Sequence, residues 1–323
     1  MRLVFMGTPD FVAPILDDLA EASSVELAGV YTPPDRPGGR GRADRMPPVK
    51  VRALELGLKV HQPASFRSSQ AQAELASLKP DVIVVAAYGK LLPPAVLDAA
   101  PHGCLNLHPS LLPSYRGPSP VSSAIVDGLE ETGVTLMLLD EGMDTGPVIA
   151  RRTCPVLSDD TAETLTASLF KLGSELLLEC LEPWVEGRLT AEPQDHSAAT
   201  VTRKLERNDG LADWNLPAAA LWRRQRAYTP WPGLFTNWQG RVLKLLEVEA
   251  LSDAFAVGGG PPGLVVALDV ENGAPDGPGK HGPVGVITCD SVLVLKTLQL
   301  EGRRPLKADE FLRGHRDFMG SQL

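Results

Sequence analysis

The run at 81–87, D-V-I-V-V-A-A, limits the fold more than any other stretch of this chain. Beyond its leading aspartate it contains no polar position and therefore no solvent face. A strand covered on both sides satisfies it, as in a parallel sheet packed between helix layers. The flanking pattern agrees. Residues 2–6 and 25–31 read as strands and 59–61 as a short one, while Phe11, Ile15, Leu16 and Leu19 fall at helical spacing. Amphipathic helices are expected near 49–56 and 70–78. Strands alternating with helices predict an α/β fold with a doubly wound, mostly parallel sheet.

Further on, 133–139 and 148–152 read as strands. Leu165, Leu169, Leu172, Leu176 and Leu177 give a long helix over 159–185, which closes a first domain at 1–189. Polar and small residues then prevail, and 190–208 is expected to be a linker. A second domain, 209–323, opens with a helix at 216–226 and continues with strands at 234–238, 241–249, 263–268, 284–288 and 291–299. Short strands separated by Gly- and Pro-rich loops predict a small antiparallel barrel.

The chemistry concentrates in L-N-L-H-P-S-L-L-P-S-Y-R, 105–116. Strand alternation puts Asn106 and His108 on one face, and Pro109 and Pro113 force the chain to turn as it leaves the sheet. Ligands of open α/β sheets collect at the carboxyl ends of strands. Asp144, in D-E-G-M-D-T-G-P, is the candidate carboxylate to complete the set. An amide and an imidazole can stabilise the oxyanion formed when an amine attacks an acyl carbon, and a carboxylate can orient the imidazole and help remove the amine's proton. Taken singly, each of these residues reads as an ordinary turn or structural residue; the combination points to acyl transfer onto an amine.

These strings, with E-T-G-V-T-L-M-L-L-D-E-G-M-D-T-G at 131–146, resemble the formyltransferases that use 10-formyltetrahydrofolate. Gly7–Phe11, the stretch 34–50, R-A-Y-T-P-W-P-G at 226–233 and the closing L-K-A-D-E-F-L-R-G are similar to the branch of that family acting on methionyl-tRNA. The resemblance implies Asn106, His108 and Asp144 as catalytic residues. It also implies Ser110, Leu111, Leu112 and Pro113 as a loop lining the folate site, with Tyr88 and Gly89 in the wall of a pterin pocket. By the same likeness the second domain is an OB-like barrel, the co-substrate is 10-formyltetrahydrofolate without a metal, and the partner is initiator methionyl-tRNA.

Net charge is −9, which disfavours indiscriminate attraction to nucleic acid. Arg36, Arg40, Arg42 and Arg45 nevertheless cluster with Gly38, Gly39 and Gly41 in a cationic loop, with Lys50 and Arg52 just beyond. It resembles the loop the family inserts into tRNA, so those four arginines are expected tRNA contacts. Arg223, Arg224 and Arg226, with Arg241, Lys244, Arg303, Arg304 and Lys307, suggest a second polyanion surface, and the tryptophans nearby are expected chiefly to pack. Cys104, Cys154, Cys180 and Cys289 lack C-x-x-C spacing, so neither a disulfide framework nor a zinc site is indicated. The first turn lacks G-x-G-x-x-G, which removes a dinucleotide cofactor. No apolar run has the length of a membrane span and no signal-peptide pattern opens the chain, so a cytoplasmic monomer is expected. The alternatives are a folate-dependent formyltransferase acting on a smaller amine, such as a sugar nucleotide or glycinamide ribotide, and an RNA-binding module without catalysis.

Overall fold

The computed structural model describes residues 1–37, 44–251, 260–268 and 283–323, in two compact units. The first comprises Met1–Val121, Glu130–Leu157 and Thr164–Arg203; the second comprises Ser122–Leu129, Ser158–Glu163 and Lys204–Leu323.

A seven-stranded sheet organises the first unit, built from β1 (Arg2–Gly7), β2 (Glu26–Tyr31), β3 (Val60–His61), β4 (Val82–Ala86), β5 (Cys104–His108), β6 (Glu131–Leu138) and β7 (Val148–Pro155). Its order is β3-β2-β1-β4-β5-β6-β7, so the winding reverses between β1 and β4. Strands β1 to β5 run parallel, whereas β6 and β7 return antiparallel. The apolar run at 81–87 becomes β4, buried at every position, and its side chains divide between two cores. Val82, Val84 and Ala86 pack with Ile15, Leu16 and Leu19 of α1 (Ala13–Glu21), with Val49 and Ala53 of α2 (Pro48–Glu55), and with later leucines. Ile83 and Val85 face Ala71 and Leu75 of α3 (Ser69–Ser77) and Val96 of α4 (Pro94–Leu97). Burying two faces at roughly 25 cal/mol per Å² of apolar surface is what holds this central strand in place.

The short helices α4 and α5 (Pro120–Val126) were not apparent from periodicity, whereas α6 (Ala162–Val185) falls inside the expected long helix. Residues 190–203, expected as linker, cluster with the first unit instead. Their main chain explains this. Glu192 and Val148 exchange backbone hydrogen bonds of 2.8 Å, and Arg116 is bracketed by Thr200 and Thr202 at 2.9 and 2.7 Å.

The second unit is one antiparallel sheet of β8 (Phe235–Trp238), β9 (Arg241–Ala250), β10 (Val265–Ala267), β11 (Val284–Ile287), β12 (Val292–Leu300) and β13 (Leu306–Lys307). Its order is β10-β11-β12-β9-β8, with β13 on β12; among the described residues β8 and β10 do not pair, so the barrel is a half-barrel. Leu221 of α7 (Ala218–Ala227) and Phe311 of α8 (Ala308–Gly314) fill its core. Trp238 meets Phe311 and Phe318 edge-on, with ring centroids 5.8 and 5.2 Å apart. Trp214 is also buried, while Trp231 stands exposed. Arg226, one of the expected surface cations, is buried: its guanidinium lies 4.5 Å from the Trp222 ring centroid and donates to the Asp160 carbonyl at 2.9 Å. Among the described residues no helix is long and apolar enough to cross a membrane.

Candidate active site

Strand β5 positions the first two residues of the expected site. Leu105 and Leu107 point into one core, so Asn106 and His108 project from the opposite face, with Asn106 partly exposed and His108 buried. His108 lies opposite Thr135 of β6, and the Thr135 hydroxyl ties down the departing chain. It donates to the Ser110 carbonyl at 2.6 Å and accepts the Leu112 N–H at 3.1 Å. The Arg151 Nε donates to the Leu112 carbonyl at 2.8 Å.

Asp144 arrives on the β6–β7 loop. Asp140 shapes that loop by accepting the Gly142 N–H at 3.0 Å and the Thr145 hydroxyl at 2.7 Å, an Asx turn. Asp144 itself adopts φ +55°, a left-handed backbone that costs a non-glycine residue about 1–2 kcal/mol. Its Oδ2 accepts the Gly117 N–H at 2.8 Å, and its Oδ1 lies 3.6 Å from His108 Nδ1. The other ring nitrogen, Nε2, sits 3.0 Å from the Tyr115 carbonyl. That carbonyl only accepts, so Nε2 carries a proton. Nδ1 is therefore a lone pair in the neutral ring and an N–H in the cation, and its distance to Asp144 exceeds a hydrogen bond.

The structure thus brings Asn106, His108 and Asp144 to one end of β5. The remaining expected residues are placed differently. Ser110 is buried and its hydroxyl donates inward to the Ser114 carbonyl at 2.7 Å. Leu112 packs with Met137 and Val148, while Leu111 and Pro113 are half-buried. The Tyr88 side chain lies in the core, its hydroxyl buried without a partner, and Gly89 is exposed. Burial pushes the Tyr88 hydroxyl up to about 12.

A cleft of about 760 Å³ lies at the start of β5, its lining including Leu97, Cys104, Leu138, Leu139, Asp140 and Glu141. It shares β5 and the start of the Asp144 loop with them, yet none of the three lines it. Among the described residues no cluster of His, Cys, Asp or Glu is arranged to hold a metal.

Arg36 and Arg45 form the neck of the cationic loop. They exchange backbone hydrogen bonds of 3.1 and 2.8 Å, and both side chains are exposed. Arg40 and Arg42 lie outside the described residues. Lys50 and Arg52 are engaged within the protein, Lys50 with Asp35 at 2.6 Å and Arg52 with Asp17 at 2.6 Å. The Gln62 amide first, and the Lys50 ammonium after it, donate to the Asp35 carboxylate and hold it below the usual carboxylate range.

Sequence reasoning missed Arg116 and Gln194, both buried, although Gln194 donates to the Asp144 carbonyl at 2.9 Å. Nothing in local periodicity marks two residues that meet across so much chain.

Comparison with known proteins places this geometry. Residues 1–181 match the model of the formyl transferase family, and 204–316 match that of the formyl transferase C-terminal domain. The methionyl-tRNA formyltransferase of Roseiflexus sp. (strain RS-1) is 45% identical over 323 residues, all of this chain and 95% of that one. That of Dehalococcoides mccartyi is 44% identical, covering 100% and 98%. Among solved structures, an N-formyltransferase from Helicobacter canadensis in complex with folinic acid and dTDP-3-aminofucose superposes with a TM-score of 0.64 at 16% identity, over 91% of this chain and 98% of that one. HypX from Aquifex aeolicus in complex with tetrahydrofolic acid gives 0.62 at 21% identity over 98% of this chain, which spans 47% of HypX. The two structural likenesses establish the fold, while both domain models and the full-length relatives establish descent: the chain belongs to the methionyl-tRNA formyltransferase family.

Proposed function

We propose that Asn106, His108 and Asp144 transfer the formyl group of 10-formyltetrahydrofolate to the free amino group of initiator methionyl-tRNA, giving N-formylmethionyl-tRNA for translation initiation. The observation that carries this reading is the His108 ring, held through Nε2 by the Tyr115 carbonyl with Nδ1 turned toward Asp144. In that tautomer an Nδ1–H is present when the ring is an imidazolium, and Asp144 Oδ1 lies 3.6 Å from that nitrogen. His108 Nδ1–H and the Asn106 side-chain amide then donate to the formyl oxygen as it becomes negative. Asp144 receives the proton that the attacking amine loses. As the tetrahedral adduct collapses, the bond between the formyl carbon and N10 of the donor breaks, the proton passes to N10 and tetrahydrofolate leaves. The amine has to be neutral to attack, so turnover falls as pH drops through the substrate's own amine pKa.

The cleft at the start of β5 suits the pterin end of the co-substrate. Its volume lies in the range of small-molecule sites, Leu97, Leu138 and Leu139 supply apolar walls, and Asp140 and Glu141 offer acceptors for ring N–H groups. Bound there, the donor supplies the one-carbon unit; the protein's part is to orient it and to stabilise charge beside it. The expected folate contacts at Ser110–Pro113 and at Tyr88 and Gly89 enter this reading through their main chain, because the Ser110, Leu112 and Tyr88 side chains are spent on packing.

Arg36 and Arg45, with Arg40 and Arg42 of the same loop, are proposed to meet the tRNA backbone, with the half-barrel as a second surface. The domain division proposed is a catalytic domain at 1–189, with 190–203 packed onto it, followed by a tRNA-binding domain at 209–323. Curated relatives named as methionyl-tRNA formyltransferases favour this substrate over a sugar nucleotide or glycinamide ribotide.

The deciding experiment is formyl transfer to charged initiator and elongator methionine tRNAs in parallel, where product on the initiator alone is expected. Asn106→Ala, His108→Ala and Asp144→Asn should each lower turnover by about 10²- to 10⁴-fold with little change in Tm. Near-normal turnover in all three would refute the assigned roles.

A further inference from the structure

Gln194 and Arg116 form a buried bridge behind Asp144. The Gln194 carboxamide oxygen accepts from Arg116 Nε at 3.1 Å and from Nη2 at 2.7 Å. Its Nε2 donates to the backbone carbonyls of Asp144 at 2.9 Å and Gly146 at 2.7 Å. Only one orientation of the amide satisfies all four contacts, because guanidinium donors lie on one side and carbonyl acceptors on the other. Gln194 and Arg116 are 6% and 5% exposed, so water offers little substitute for either set of bonds.

The bridge spans the two pieces of backbone that need restraint. Asp144 at φ +55° and Tyr115 at φ +58° both sit in the left-handed region, and such residues persist only where surroundings hold them. Tyr115 supplies the carbonyl that fixes the His108 tautomer, and Arg116 follows it directly. Arg116 is locked in turn by main-chain bonds to Thr200 and Thr202, and the Tyr115 N–H donates to the Thr200 hydroxyl at 2.7 Å. One glutamine therefore couples the loop bearing the carboxylate to the loop that sets the imidazole.

We propose that Gln194, clamped by Arg116, is a positioning residue for the formyl-transfer reaction: it fixes the Asp144 backbone so that the carboxylate stays opposite His108 Nδ1. This rests on the catalytic reading of Asp144. The residue touches no reacting atom and acts chiefly through the placement of Asp144.

A double-mutant cycle tests it. Gln194→Met keeps the length of the side chain and removes its donors and acceptor. In the wild-type background it should lower kcat by about ten- to a hundredfold, as a displacement of about 1 Å in a catalytic group does, with KM for methionyl-tRNA and for 10-formyltetrahydrofolate nearly unchanged. In an Asp144→Asn background the same change should alter kcat by no more than about twofold, since the element it positions no longer works. Gln194→Glu guards against a folding defect. Its carboxylate keeps the tie to Arg116 but sets an oxygen, not a donor, against the two carbonyls, so kcat measured well below its Tm should fall. An equal loss in both backgrounds, or wild-type kcat in Gln194→Glu, overturns the proposal. Full activity of Asp144→Asn by itself would instead overturn the reading beneath it.

Discussion

Replacing Gly117 by alanine should damage catalysis in a way that can be worked out from distances. Residue 117 has φ +99°, and a Cβ built there meets the Thr202 carbonyl oxygen at 2.7 Å and its hydroxyl at 3.0 Å. Reaching ordinary contact at 3.4 Å requires a shift of about 0.7 Å (3.4 minus 2.7), against a backbone oxygen of a residue whose N–H is bonded to the Arg116 carbonyl. If the 117 amide retreats by that amount, its 2.8 Å bond to Asp144 stretches to about 3.5 Å, beyond the range of a good N–H···O contact. The left-handed backbone costs an L-residue about 1–2 kcal/mol. Loss of a hydrogen bond to a charged group costs about 1.5–3 kcal/mol. Together these give about 2.5–5 kcal/mol, or a Tm lowered by about 5–20 °C for a unit of this size. Turnover should fall by about ten- to a hundredfold, because Asp144 loses its anchor. Gly57→Ala is the control: φ is +70° with nothing within 4 Å, so it carries the backbone term alone and should leave kcat unchanged. Melting curves and steady-state formyl transfer on both variants decide the matter. A Gly117→Ala protein with wild-type kcat, or one no more impaired than Gly57→Ala, would refute the reasoning.

Arg36→Ala and Arg45→Ala should each raise KM for methionyl-tRNA and reduce the slope of log K against log salt by about one. Thermal stability should stay within about 0.5 kcal/mol, because main-chain bonds pair these residues; an unchanged salt slope would remove them from the tRNA interface. Tyr88→Phe should alter alkaline stability. The buried hydroxyl titrates at about 12 in the fold against 10.0 when free, so it keeps its full contribution below pH 10 and loses it as pH rises toward about 12. Removing it should flatten that loss by about 2–3 kcal/mol and, because the hydroxyl has no partner, leave stability at pH 7 equal or higher; an unchanged alkaline slope would contradict this.

The parts of the fold visible in the sequence were those written in local periodicity. Residues 81–87 have no polar face, and the alternation at 104–108 puts Asn106 and His108 on one side, so β4, β5 and two of the site residues could be placed beforehand. Strand direction was not visible. A buried strand reads the same in either orientation, so nothing marked β6 and β7 as antiparallel. Residues 190–203 misled because small and polar side chains usually mean a connector, whereas here Gln194 and Thr202 bond to partners 78 and 86 residues earlier. At Ser110 and Leu112 the motif marks the loop without showing that these two side chains serve the loop's own packing.

The stitching of Arg116 to the 200–202 segment bears on how this protein is made. The seven-stranded sheet has all of its strands once β7 ends at Pro155, but the loops that aim His108 and Asp144 lack their restraints until Gln194, Thr200 and Thr202 have been synthesised and docked. Closing contacts over such separations is slow compared with local pairing. On the ribosome, a well-formed sheet therefore precedes a competent catalyst, and a nascent chain halted after α6 holds the reacting side chains without the frame that makes them useful.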